Sequence, residues 1–326
     1  VTSTADLVAV AHGTADPAGI RVVHELVRMM AVERPELAIS LGFVDLLEPA
    51  LPSLVRRIST DADEAVVVPL LLSAGYHVYV DIAAEADRHN RIHTAPALGP
   101  DPVVADILAD RLTTRLIKHP ATELPDATEL PDATELPDVA GLPVDQELPV
   151  DQELPVEQVV LAAAGSSDPR ALRDCEQTAK LLSARINRPV TVGYLSGAGE
   201  PLQSVLARAN THRANTNHHR ANTNPRLANT NPRLANTNPR LANTNPRHAG
   251  AGPRLAVATY LLAPGFFADR TRRLAGPYPV AAPLGADPRL ATLALHRFDE
   301  AQQLARVRTV SVGACGSRPP GRIVVG

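Results

Sequence analysis

The chain has 326 residues, 44% of them apolar, and a formal net charge of −3. This length predicts two domains of ordinary size, at ~100–200 residues each, and the near-neutral charge singles out no nucleic-acid, membrane or acidic partner. Aromatic residues make up only 3%, so Val, Leu and Ala must fill the cores. No apolar run approaches the ~20 residues that span a bilayer, and no basic stretch followed by an apolar core opens the chain. A soluble, cytoplasmic protein is expected. Cys175 and Cys315 are single and far apart and read as unpaired thiols.

In chain order, residues 7–11 read as a short buried strand that ends in His12-Gly13-Thr14-Ala15-Asp16-Pro17. Pro17 suits a helix start, and Val23, Leu26, Val27 and Met30 recur at helical spacing over residues 20–33. A second strand spans 37–44 and ends in Asp45. Glu48-Pro49 opens a helix with Leu51, Leu54, Val55 and Ile58 on one face. Residues 65–72 form a continuous apolar run, as in a central parallel strand, and break into Ser73-Ala74-Gly75-Tyr76-His77. A helix over 80–90 and a strand over 94–98 follow. Then comes a helix over 103–116, with Asp101 as N-cap and Pro102 at its first position. Alternation of this kind predicts an α/β fold with a parallel sheet flanked by helices.

Next comes a low-complexity segment. ATELPD occurs three times and VDQELP twice up to residue 155. A proline every six residues forbids regular helix or central strand, so 119–155 reads as an extended acidic linker. From residue 156 the chain repeats its first half in order. Gly165-Ser166-Ser167-Asp168-Pro169 answers Gly13 to Pro17; Leu195-Ser196 answers Val44-Asp45; Pro264-Gly265-Phe266-Phe267 answers Ala74 to His77; Gly285-Ala286-Asp287-Pro288 answers Gly99 to Pro102. Two similar lobes are therefore expected, 1–118 and 156–302, related by a pseudo-two-fold. The second is interrupted over 210–250 by a heptapeptide array, ANTNPRL, in which the repeated Asn-Pro excludes a coiled coil. Its arginines lack the interleaved aromatics that stack on bases, so a disordered insertion without nucleic-acid partner is expected. Residues 303–326 read as a loose tail.

The duplication makes one half a control for the other. His12 becomes Ala164, Asp45 becomes Ser196 and His77 becomes Phe267, while turn glycines, prolines and apolar strands persist. The scaffold does without these three side chains, which marks them as candidates for chemistry. Glu48 recurs as Glu200 at a helix start, where the helix dipole favours a carboxylate, and reads as structural. Neutral imidazoles plus one carboxylate, with positions left open, suit a transiently held divalent metal such as Fe2+ or Co2+, rather than a closed structural zinc site. Gly13 and Gly75 allow sharp turns and close approach of a flat ligand.

AHGTADP, LGFVDLLEP, VVVPLLLSAGYHVYVDI and APALGPDP together resemble the CbiX-type sirohydrochlorin chelatases, class II chelatases in their long two-domain form. The resemblance implies ATP-independent insertion of Fe2+ or Co2+ into sirohydrochlorin, toward sirohaem or cobalamin, by a monomer with the tetrapyrrole between its lobes. It implies no tightly bound cofactor, the metal being a substrate. The family's metal-site histidines carry over onto His12 and His77, which also take up pyrrole protons, and its acidic residue onto Asp45. Gly13, Ser73, Gly75 and Phe267 are then expected to line the tetrapyrrole cleft, with Arg91 and loop amides facing the carboxylates. Two alternatives are a carrier that uses the same site without turnover and a phosphoryl-transfer enzyme with His12 as nucleophile. The latter needs an arginine before the histidine, where Ala11 stands.

Overall fold

A computed structural model describes residues 5–61, 64–73, 82–86, 88–89, 91–118, 154–209 and 255–315. The first lobe runs β1 (Asp6–Ala11), α1 (Pro17–Glu33), β2 (Ile39–Phe43), α2 (Leu51–Asp61), β3 (Ala65–Pro69), α3 (Ala83–Ala86), β4 (Ile92–Thr94) and α4 (Pro102–Lys118). The second runs β5 (Gln158–Ala163), α5 (Pro169–Ile186), β6 (Val190–Tyr194), α6 (residues 202–209), β7 (Leu255–Tyr260), α7 (Phe266–Ala275) and α8 (Pro288–Cys315). Both sheets are parallel, ordered β2-β1-β3-β4 and β6-β5-β7. A bridge from Val257 to Val280 adds the counterpart of β4. The acidic linker up to residue 153 and the heptapeptide array lie outside the described residues.

Strand alternation builds the layers. In β1, Leu7, Ala9 and Ala11 face one core, while Val8 and Val10 face another that is closed by Leu51, Leu54, Val55 and Ile58 of α2. In the second lobe, Val160 and Ala162 face the outer core under Leu202, Val205 and Leu206. The inner faces of both sheets meet in a single core with α1, α4, α5 and α8 between them. The lobes thus share their central helical layer. α1 packs on α8 and α4 on α5, so each pair joins helices of the two copies in exchanged roles.

The same exchange appears in side chains. Asp101 caps α4, its Oδ1 accepting from Val103 N at 2.9 Å, and Asp287 caps α8 through Arg289 N at 3.1 Å. Each cap also receives an arginine from the other lobe. Arg297 of α8 reaches Asp101 at 2.8 Å; Arg111 of α4 reaches Asp287 at 3.4 Å and donates to the Leu284 carbonyl at 2.6 Å. Arg111 and Arg297 occupy the same position of their helices, nine residues after the N-terminal proline. Reciprocal contacts between equivalent residues are what a two-fold relation produces.

Three elements differ from the sequence-based expectation. β4 ends at Thr94 instead of beginning there. Ala95 and Leu98 donate to the Val67 and Leu71 carbonyls at 2.8 Å, but Pro96 has no N–H and interrupts the ladder. The helix expected over 80–90 is described only over Ala83–Ala86. The chain is not loose from residue 303: α8 continues to Cys315, with Ala301 and Ala305 buried one turn apart. Small alanines carry that buried stripe, so a search for large apolar residues passes over it.

The Arg297–Asp101 pair, 15% exposed on both sides, is shielded from water, whereas Arg185–Asp106 is 52% and 44% exposed. Arg297→Ala is expected to lower stability by about 3 kcal/mol, and Arg185→Ala by under ~1 kcal/mol, measured by urea unfolding. Burial pushes the Asp287 carboxyl up, Arg289 and Arg111 pull it down by more, and it lies below its ordinary 3.8. A lowered carboxyl stabilises the fold above its ordinary value and loses that contribution as pH falls through the folded one. The stability deficit of Asp287→Asn should therefore shrink as pH drops below 3.8, as read from urea midpoints.

Candidate active site

A cleft of about 800 Å³ lies where the C-terminal ends of both sheets meet. In each sheet the central strand sends its neighbours off in opposite directions, and crevices at such switch points are where open α/β sheets place ligands. Loops after β1, β3, β5 and β7 line this one, including residues 12–15, 70–73, 163–167 and 261–265.

His12 stands exposed at the end of β1 and lines the cleft. Its carbonyl accepts from Asp45 N at 3.0 Å, which ties the β1 and β2 loops together. The tie needs Gly13, whose φ is +98°; a Cβ there would lie 1.9 Å from the Asp45 carbonyl oxygen. Gly165, at φ +96°, approaches the Ser196 carbonyl oxygen in the same way, with a Cβ distance of 1.8 Å. The backbone is therefore copied between lobes where the side chains diverge, His12 against Ala164 and Asp45 against Ser196. The helices that follow are capped alike, Asp16 accepting from Ala18 N and Asp168 from Arg170 N, both at 2.8 Å.

Asp45 is brought beside His12 through its backbone. Its carboxylate accepts from Leu46 N at 2.8 Å, and Asp45 is not among the described residues lining the cleft. Ser73 lines it, half-buried. Gly75 and His77 lie outside the described residues. Among the described residues no three His, Cys, Asp or Glu side chains gather in a group that could hold a metal ion. Phe267 lines the cleft but is half-buried and packs on the second lobe's outer core. Its neighbour Phe266, 64% exposed, meets it edge-on at 5.4 Å and offers the larger apolar surface.

Arg91 stands elsewhere. Its carbonyl accepts from Ala65 N, which puts it at the start of β3, the end of the sheet away from the cleft. His89 and Arg88 are near it, and His93 Nε2 lies 3.4 Å from Glu64 Oε1. No Lys, Arg, Asp or Glu is found among the described residues lining the cleft. The polar groups of the described lining are His12, the hydroxyls of Thr14, Ser73, Ser166, Ser167, Ser196 and Tyr260, the Cys175 thiol, and loop amides. The N-terminus of α7 also belongs to the wall, and its N-cap Gly265 supplies no side-chain cap. Glu48 serves locally: its carboxylate accepts from Ala50 N at 2.7 Å. The bridges Phe43–Ala50 and Tyr194–Pro201 pair Ala50 with Pro201, so Pro49, rather than Glu48, is the counterpart of Glu200.

Sequence comparison missed Tyr260. Its counterpart, Leu70, is an ordinary core residue. The Tyr260 hydroxyl, wholly buried, donates to the Leu72 carbonyl of the other lobe and accepts from Thr178 Oγ1 at 3.1 Å. Burial pushes this phenol far above its ordinary range, so it stays a neutral donor. The second lobe thereby holds the exit of β3, just before Ser73.

Residues 6–115 match the family model of CbiX. The first lobe is a CbiX lobe. Among solved structures, SirB from Bacillus subtilis with Fe3+ is 17% identical, with a TM-score of 0.57 over 92% of this chain and 96% of that one. The sirohydrochlorin chelatase SirB from Bacillus subtilis subspecies spizizenii, in complex with cobalt, is 17% identical with a TM-score of 0.54, covering 92% and 95%. A CbiX described as the terminal enzyme for biosynthesis of siroheme in denitrifying bacteria is 14% identical with a TM-score of 0.52, covering 91% and 99%. At these identities the likeness is one of fold, and it takes in the second lobe as well as the CbiX lobe. No curated protein gave a significant match. No helix among the described residues is long and apolar enough to cross a membrane.

Within the CbiX lobe, Gly13→Ala should destabilise the protein by about 2 kcal/mol or more, because a left-handed φ and a backbone clash coincide. Thermal unfolding checks this.

Proposed function

We propose that the protein inserts a divalent metal, Fe2+ or Co2+, into sirohydrochlorin without ATP. The observation that carries this is the placement of His12 of the CbiX lobe in a two-lobed cleft of about 800 Å³. That volume falls in the range of small-molecule sites. The pairing of Asp45 with Leu46 N favours Asp45 as the residue that fixes the His12 loop.

Insertion exchanges two pyrrole N–H protons for one M2+ ion. In this reading His12 and His77 hold the ion beside the ring, and a neutral imidazole of either accepts a proton as it leaves. The peripheral carboxylates meet hydroxyls, loop amides and the uncapped positive end of α7, since the described cleft lining has no cationic side chain. Metal, macrocycle and protons are all exchanged with solvent, so the protein turns over unchanged.

The test is optical. Purified protein with metal-free sirohydrochlorin and either Fe2+ or Co2+ should metallate many equivalents, which separates catalysis from carriage. His12→Ala should slow insertion by about 100-fold. A variant as fast as the wild type would remove His12 from the mechanism.

A further inference from the structure

Six large apolar residues stand well exposed among the described residues: Val32, Leu46, Ile117, Phe266, Leu304 and Val307. Only Leu46 and Phe266 line the cleft, one from each lobe, at 67% and 64% exposure. Leu46 is also conformationally anomalous. Its φ is +66°, a region in which a Cβ is strained and where only glycine sits freely. Three hydrogen bonds hold the backbone there. Leu46 N is held by the Asp45 carboxylate at 2.8 Å, Leu47 N by the Asp45 carbonyl at 2.8 Å, and Asp45 N by the His12 carbonyl at 3.0 Å.

The second lobe supplies the control. The counterpart of Asp45 is Ser196, so the counterpart of Leu46 is Gly197, and its φ is +71°. One backbone, built twice, carries glycine in one copy and leucine in the other. The leucine strains the turn and exposes an apolar side chain to water. Neither effect helps the free protein, so the side chain has its use when the cleft is filled. Phe266 shows the same economy. It is the first residue of α7, left outside the core while the adjacent Phe267 enters it.

We propose that Leu46 and Phe266 are the apolar walls that position the macrocycle, a flat conjugated ring with apolar faces and charged edges, for metal entry. This rests on the function proposed above and names the residues that grip its substrate. Neither residue moves a proton or holds the metal. They are positioning residues, and their loss should weaken substrate binding more than turnover.

Leu46→Gly is the informative variant, because glycine suits φ +66° and should leave the thermal midpoint unchanged or raised. Two quantities are read on the full chain: the Kd for metal-free sirohydrochlorin, by absorbance titration, and KM and kcat for Co2+ insertion. Leu46→Gly and Phe266→Ala should each raise Kd and KM by about tenfold, with kcat within about twofold of wild type. If Leu46→Gly keeps a wild-type Kd, the assignment of Leu46 is overturned, and likewise for Phe266→Ala. If wild type inserts metal normally while both variants bind unchanged, this inference fails and the proposed function stands. If wild type neither binds nor metallates sirohydrochlorin, the proposed function fails and this inference falls with it.

Discussion

The cleft depends on the reciprocal clasp between the lobes, Asp101 with Arg297 and Asp287 with Arg111. Each aspartate acts twice, ending a helix correctly and receiving an arginine from the other copy. Arg289 extends the second clasp, holding Asp287 at 2.9 Å and reaching Asp110 of the first lobe at 2.7 Å. Such pairs contribute little by themselves, since desolvation offsets much of the attraction. Their consequence is register: they fix α4 and α8 against each other across the two lobes. The shared core behind them supplies the adhesion. A hinge between the lobes would have to open that core to water, so the cleft is a standing feature of the fold. Its floor is fastened again by Tyr260 on the Leu72 carbonyl.

On that frame the lobes divide the work. The loops after β1 and β5 share their glycine, their aspartate cap and their proline. The lobes differ at His12 against Ala164 in these loops and at Leu46 against Gly197 in the loops after β2 and β6, and in both cases the CbiX lobe carries the side chain that no scaffold needs. The second lobe has Ala164 and Phe267 in place of the histidines yet is not idle. It supplies Phe266, the uncapped start of α7 and the Tyr260 hydroxyl.

Much of this was legible in the sequence because the chain is its own alignment. The strands showed as apolar runs, the helix starts as Asp-Pro, and His12 as a histidine absent from the second copy. Other features hide for identifiable reasons. The β2–α2 loops match with Pro49 against Glu200, but two Glu-Pro pairs invite an alignment shifted by one residue. Phe266 and Phe267 are equivalent in a string. On a helix they are about 100° apart, and only the α7 start at Phe266 decides which one enters the core. Leu46 has no compositional mark at all. Its interest lies in a backbone angle that glycine shows openly and leucine conceals.

The electrostatics of the cleft then bear on the choice of ligands. A site that stores a metal gathers carboxylates, whose charge lowers the free energy of the bound ion and slows its departure. The described lining has none; the Asp45 carboxylate is engaged with the Leu46 amide and the Asp16 carboxylate with the Ala18 amide. Neutral imidazole and hydroxyl ligands hold a divalent ion without cancelling its charge. An ion so held gains more by moving into a macrocycle that surrenders two protons than it gains by staying. The apolar walls proposed at Leu46 and Phe266 would add to the same bias, since apolar side chains favour a flat ring and offer nothing to a hydrated cation. For the metal insertion proposed above, loose holding of the ion and a grip on the ring are two sides of one requirement, that the metal pass through the protein and not remain.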